Sequence, residues 1–171
     1  MLETKRLKLR DYNEADFDFL QSLLSNEQVM QYIGSGETRN EEQARSFFNW
    51  IVESYEKNEA YGLKIIELKA TNERIGHAGL VPQRVIEEEQ IEIGYWIAPN
   101  FWGMGYATEM AKALRAYGEK ELSLNKLISL IQIGNSASQK VAISMGMKKE
   151  REIELKGKQV IIFSTLGGFI S

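Results

Sequence analysis

The sequence predicts a mixed α+β chain: a mostly antiparallel sheet of about seven strands with about four helices packed against it. Three observations carry this expectation. Seven short runs are apolar, β-branched or alternating, at residues 5–10, 61–68, 74–81, 90–97, 127–133, 148–155 and 158–166. Four other stretches repeat apolar residues at helical spacing. A helical stretch also separates residues 91–97 from 127–133, and a crossover of that length makes this pair of strands parallel.

In chain order, residues 5–10 alternate charged and apolar side chains, the pattern of a strand with one buried face. Asp11 to Asp16 supply turn and capping residues for a helix carrying Phe17, Leu20, Leu23 and Leu24 on one face. Residues 25–40 hold the apolar group Val29, Met30, Tyr32 and Ile33, then Gly34-Ser35-Gly36, and read as loop. Asn40 before Glu41-Glu42 is an N-cap for a helix to about Lys57, with Ala44, Phe47, Phe48, Ile51 and Tyr55 in register. Trp50 and the other aromatics of this helix are read as core rather than as a cofactor platform.

Residues 61–68 and 74–81 form a hairpin about the polar stretch 69–73, and a third strand, 90–97, follows an acidic loop at Glu87-Glu88-Glu89. His77, the only histidine, lacks the company a metal site or a catalytic triad requires, and is read as structural or exposed. Beyond Tyr106, the residues Met110, Ala113, Leu114 and Tyr117 mark the inner face of a helix. Asn135 caps the next one, with Val141, Ala142 and Met145 inward and Gly146 ending it in the left-handed conformation. Residues 148–155 and 158–166 close the sheet about Lys156-Gly157-Lys158, and residues 167–171 are expected to fray.

Composition sets the outer bounds. A chain of 171 residues that is 43% hydrophobic suits one domain, taken as residues 1–171. Without cysteine there is no disulfide framework, no thiolate nucleophile and no Cys-based zinc site, and no metal is expected. The N-terminal residues lack a signal-peptide core, and no apolar run approaches the roughly 18 residues of a membrane span. A cytoplasmic protein without a membrane partner is the expectation. At a net charge of −3 with scattered basic residues, a nucleic-acid partner is not expected, whereas an amine-bearing partner fits.

The stretch at residues 91–108 joins a strand to a helix through Gly103 and Gly105. Glycines at such a junction let the backbone turn tightly, and the free N–H groups of the helix start form a site for an anion such as a pyrophosphate. A turn with glycines placed for packing is the competing reading. A dinucleotide fingerprint fails because Thr108 stands where its third glycine belongs, and the Gly-Lys-Ser/Thr of a P-loop is absent.

The loop Asn100-Phe101-Trp102-Gly103-Met104-Gly105 resembles the Q/R-x-x-G-x-G/A motif of the GNAT N-acetyltransferases, with Asn in the first place, and Trp102-Gly103-Met104-Gly105-Tyr106-Ala107-Thr108-Glu109 is similar to their RimJ/RimL branch. A second motif agrees. Asn135 and Gly146 lie eleven residues apart, as in the family's pattern, and Met147 stands where Phe is usual. The resemblance implies acetyl-CoA as co-substrate, its pyrophosphate on backbone N–H groups of Trp102, Gly103, Met104, Gly105, Tyr106, Ala107 and Thr108. It also implies that two splayed strands present Trp96, Ile97 and Ala98 to the pantetheine and thioester, and that the Asn135 side chain bonds the same arm. The tyrosine that many members place seven residues after the Asn is Ala142 here, so Ser138 becomes the candidate that stabilises or protonates the leaving thiolate.

Acetyl transfer to an amine further requires a neutral nucleophile and a proton acceptor. Glu92, on the strand bordering the expected cleft, is the candidate, acting as base, through a water, or by attracting an ammonium group. Alternation puts it on one face with Gly94 and Trp96. The acceptor is a protein N-terminal amine or a small-molecule amine, with residues 25–40, 83–90 and 153–160 as the loops that shape its pocket. For residues 25–40 a plain connector is the competing reading. A non-catalytic acyl-CoA sensor is the alternative function, and the oligomeric state stays open, a homodimer included.

Overall fold

The computed structural model describes residues 2–166, so the expected fraying of residues 167–171 lies outside the described residues. One seven-stranded sheet runs in the order β1-β2-β3-β4-β5-β7-β6. Its strands are β1 Leu7–Arg10, β2 Gly62–Leu68, β3 Arg74–Val85, β4 Glu88–Ile97, β5 Ile128–Gln132, β6 Lys148–Leu155 and β7 Lys158–Ser164. The β4–β5 pair is parallel and every other pair antiparallel. The expected class and strand count therefore hold.

Five helices flank the sheet: α1 Phe17–Leu24, α2 Glu27–Met30, α3 Glu41–Lys57, α4 Tyr106–Lys120 and α5 Ser136–Ser144. The short α2 is the one beyond expectation. Asn26 caps it by accepting from the N–H groups of Gln28 and Val29, and four residues are too few for a helical period to show. Helix α1 buries all four predicted residues, and α3 starts at a capping box in which Asn40 and Gln43 satisfy each other's backbone N–H.

Trp50 corrects the expectation of a core residue, for it is 46% exposed at the edge of α3. Its place on the helix explains this: at 3.6 residues per turn it points about 120° away from the buried Ala44–Phe48–Ile51 stripe. On α4, Met110 and Leu114 are buried as expected, but Ala111 and Gly118 complete that face while Ala113 and Tyr117 are half-buried. The acidic loop also differs. Only Ile86 and Glu87, both at positive φ, make the turn, and Glu88 and Glu89 pair with Val85 and Arg84 inside the β3–β4 ladder. Residues 83–90 and 153–160 are thus hairpin ends rather than open loops.

Each face of the sheet carries its own core. On one, Leu7, Ile66, Ala78 and Ile93 pack against Met110, Ala111 and Leu114 of α4 and Ala142 and Met145 of α5. On the other, Leu63, Ile65 and Val81 pack against α1, α2 and α3. The strand that separates from its neighbour between these two layers is β4.

Candidate active site

The β4–β5 ladder consists of one register pair, Glu92 with Ile128. Beyond it, side chains span the gap: Leu130 N–H donates to the Glu92 carboxylate (3.1 Å), and Ser129 Oγ donates to the Ile93 carbonyl (3.0 Å). Farther along, the Ile97 carbonyl accepts from the Trp102 indole (2.7 Å). Strand alternation turns the backbone groups of Tyr95 to this same edge, where no β5 backbone lies opposite. The strands therefore splay and leave an extended edge open, a feature that periodicity cannot reveal.

This geometry sorts the predicted residues. Ile97 faces the split. The Ala98 N–H instead donates to the Ile75 carbonyl (2.8 Å), and alternation turns the backbone groups of Trp96 to β3 with those of Ala98, so neither offers a backbone donor there. The Trp96 side chain lies on the α3 face, stacked on Phe47 with ring centroids 5.7 Å apart.

At the end of β4 a 3-10 turn, Pro99–Phe101, leads into the glycine loop. Gly103 and Gly105 have φ of +77° and +80°, values that L side chains rarely adopt, and a Cβ on Gly103 would meet nothing within 4 Å. The first α4 bond is made by Glu109 N–H to the Gly105 carbonyl. Among the described residues, no N–H from Gly103 to Thr108 has a protein acceptor, so the loop and first helical turn present a row of free donors at the positive end of a 15-residue helix. Trp102 and Met104 flank it, 47% and 49% exposed, but the Trp102 N–H expected among the donors is taken by the Pro99 carbonyl (3.1 Å), which closes the 3-10 turn. This cradle fits a pyrophosphate.

Glu109, an acid in that first turn, is held away from the cradle by Thr4 Oγ1 (2.6 Å) and by the Arg6 backbone N–H (3.1 Å) and Nε (2.8 Å), which keep its carboxyl below the usual range. The Arg6 guanidinium covers the Tyr106 ring at 4.4 Å. Sequence reasoning missed this clasp because its halves lie about 100 residues apart.

Helix α5 lies on the opposite side of the split. Asn135 uses both ends on one residue: Oδ1 accepts from Ser138 N–H (3.2 Å) and Nδ2 donates to Ser138 Oγ (3.0 Å). The amide thereby orients the serine and keeps a second Nδ2 hydrogen for another acceptor. Since Ser138 Oγ accepts from the amide, its own proton is free to be donated elsewhere. The Tyr95 hydroxyl donates to the Ser138 carbonyl (3.0 Å), tying α5 to β4. Burial pushes the Tyr95 phenol up. Tyr95 was not singled out from the sequence, and only its place at the split marks it.

Glu92 sits at the last paired position before the strands diverge. It accepts from Gln83 Nε2 (3.1 Å) as well as from Leu130. Burial pushes its carboxyl up to about 7, against the opposing pull of both donors. A carboxyl with this pKa exchanges protons near neutrality. Its face, shared with Trp96, is the one covered by α1, α2 and α3.

Beneath Trp96 lies His77, fully buried, with Nδ1 2.6 Å from the Tyr12 hydroxyl and Nε2 without a partner. Burial lowers its pKa to about 3, so the ring is neutral. The structural alternative of the two expected for His77 therefore holds for its placement. Among the described residues, no group of three His, Cys, Asp or Glu could hold a metal ion, and no helix is long and apolar enough to cross a membrane.

A family model described as an acetyltransferase (GNAT) domain matches residues 6–148. YkkB of Bacillus subtilis is 36% identical over 95% of this chain and 93% of its own length. The uncharacterized N-acetyltransferase YoaA of the same organism is 32% identical over 88% and 84%. Among solved structures, a GNAT-family acetyltransferase from Bacillus anthracis superimposes with a TM-score of 0.79 at 27% identity, covering 95% of this chain and 96% of that one. RimL, a ribosomal L7/L12 α-N-protein acetyltransferase solved with coenzyme A, shares the fold with a TM-score of 0.77 at 19% identity and 94% coverage of both chains.

Proposed function

This chain belongs to the GNAT acetyltransferase family, and from that premise we propose that it moves an acetyl group from acetyl-CoA directly to a primary amine on a protein N-terminus or a small molecule. Residues 1–171 act as one cytoplasmic domain of the RimJ/RimL-like branch, a reading supported by the Trp102–Glu109 motif and by the likeness in fold to RimL. The observation that carries the proposal is the split beside β4, which has anion donors at one end, a serine hydroxyl on one flank and a carboxyl near neutral pKa at its apex.

Acetyl-CoA supplies a thioester, whose acetyl carbon is open to attack by an amine. Gly103 to Thr108 hold the pyrophosphate, and the edge of β4 at Tyr95 and Ile97 bonds the pantetheine as an added strand would. The Ile97 N–H polarises the carbonyl. Glu92 takes the proton that the amine loses as the N–C bond forms, and Ser138 donates to the sulfur as the C–S bond breaks.

The test is thiol release from acetyl-CoA across a panel of amines and N-terminal peptides, run beside Ser138→Ala. Turnover of at least one acceptor, slowed by the substitution while acetyl-CoA binding persists, supports the enzyme. Tight binding with no turnover on any acceptor would overturn it in favour of the sensor.

A further inference from the structure

The segment between α2 and α3 holds a charge that the fold leaves uncompensated. Among the described residues, Arg39 is the one half-buried arginine whose guanidinium meets neither a carboxylate nor a carbonyl; Arg10, Arg45, Arg74 and Arg115 each pair with an acid. Even the exposed Arg84 is paired, with Glu89. Arg39 instead lies over the Phe47 ring, 5.1 Å from its centroid, and burial lowers its pKa without any opposing anion. A cation partly withdrawn from water without a counter-charge carries a desolvation cost, and an anion from outside would offset it.

The position of Arg39 identifies the anion. Its segment packs on the far end of β5 and the turn that follows: Gln132 Nε2 donates to the Gly34 carbonyl (2.8 Å), and the Tyr32 ring stands 3.0 Å from where a Cβ on Gly134 would lie. Phe47, under the guanidinium, stacks on Trp96 of β4, on the sheet face shared with Glu92. A shallow surface depression lies beside it, lined by Arg39, Gln43, Ser46 and Phe47. Glu92 and Arg39 thus lie on the same side of the sheet, the cation joined to β4 through Phe47 and Trp96.

We propose that Arg39 binds a carboxylate on the acetyl acceptor, so that the substrate is a primary amine that carries an acid group, as an amino acid does. The assignment rests on the acetyltransferase reading above. Planar, bidentate recognition of a carboxylate is the geometry a guanidinium favours, and among the described residues no acceptor takes an N–H of the Arg39 side chain. A polyamine, with only cations to offer, would be repelled at this position.

The experiment compares wild type, Arg39→Gln and Arg39→Lys on amino acids, their carboxamides, peptides with an acidic second residue, and spermidine. Wild type is expected to favour each free carboxylate over its carboxamide by roughly ten- to a hundredfold in kcat/KM. Arg39→Gln should erase that ratio through KM, Arg39→Lys should restore part of it, and the KM for acetyl-CoA should not move. Preference for free amino acids over the acidic peptides would place the carboxylate on a small molecule, and the reverse on a polypeptide. A ratio that survives in Arg39→Gln, or a wild-type preference for carboxamides or spermidine, overturns the proposal. If acetyl-CoA binds but nothing turns over, the acetyltransferase reading fails by itself, and tryptophan fluorescence decides for Arg39. Quenching by carboxylates in wild type but not in Arg39→Gln supports the anion site, and equal response removes it.

Discussion

The buried His77 makes stability depend on pH in a way that can be calculated. Its folded pKa of about 3 lies below the ordinary value of 6.5, so the native state holds the ring neutral while the unfolded chain protonates it as pH falls. Stability is therefore whole above about pH 6.5 and declines as pH drops toward 3, because the unfolded state binds the extra proton. Integrating between these two values, the loss from pH 7 to pH 4.5 is about 2.5 kcal/mol from this residue alone. The perturbation is Tyr12→Phe with His77→Leu, which removes the hydroxyl, its ring-nitrogen partner and the unpartnered Nε2 together, so that no new orphan is left. At pH 7 the double variant should lie within about 1.5 kcal/mol of wild type. Urea unfolding at both pH values gives the difference between the proteins. Other titrating groups, Glu92, Asp16 and Glu109 among them, are common to both and cancel. Wild type should lose about 2.5 kcal/mol more than the variant on acidification. Parallel losses would refute the claim that His77 is held neutral by burial.

Three further outcomes follow from the site and its frame. Since Glu92 is raised to about 7, catalysis that needs its carboxylate should rise with pH through that value, and Glu92→Gln should flatten this limb; a limb unchanged in the variant rules Glu92 out as the proton acceptor. The sign for stability is opposite to that of activity: the protonated form suits the fold, so wild type should gain stability relative to Glu92→Gln as pH falls from about 7 toward 4.5, which pH-dependent melting would read. Removing the hydroxyl in Tyr95→Phe should cost about 1 kcal/mol and raise the KM for acetyl-CoA, because the tether between β4 and the start of α5 is lost; an unchanged KM would leave Tyr95 a packing residue. Finally, Ile86 and Glu87 both sit at positive φ in the β3–β4 turn, with Ile86 52% exposed, so Ile86→Asn with Glu87→Gly should stabilise the hairpin by about 1–2 kcal/mol, and a lower unfolding midpoint would contradict the turn assignment.

Local pattern was enough for the strands, the four longer helices and their caps, because alternation, helical spacing and an Asn before a helix act over a few residues. Asn40 and Asn135 cap where expected, Gly146 adopts φ of +88°, and the glycine loop opens α4. Residues at greater separations escaped it. The Arg6–Glu109 clasp, the Tyr95 hydroxyl on the Ser138 carbonyl, the occupied Ala98 N–H and the exposed side of Trp50 each depend on what another segment places opposite. The splay of β4 from β5 belongs to the same class: alternation shows which residues share a face, not whether a neighbouring backbone stays within hydrogen-bonding distance. The sequence by itself thus determined the strands, the four longer helices, their order and the glycine turn before α4, through short-range backbone preference. Only the tertiary structure decided which groups remain unpaired around the split, because an unmet hydrogen bond or an unpaired charge is a property of everything packed around it.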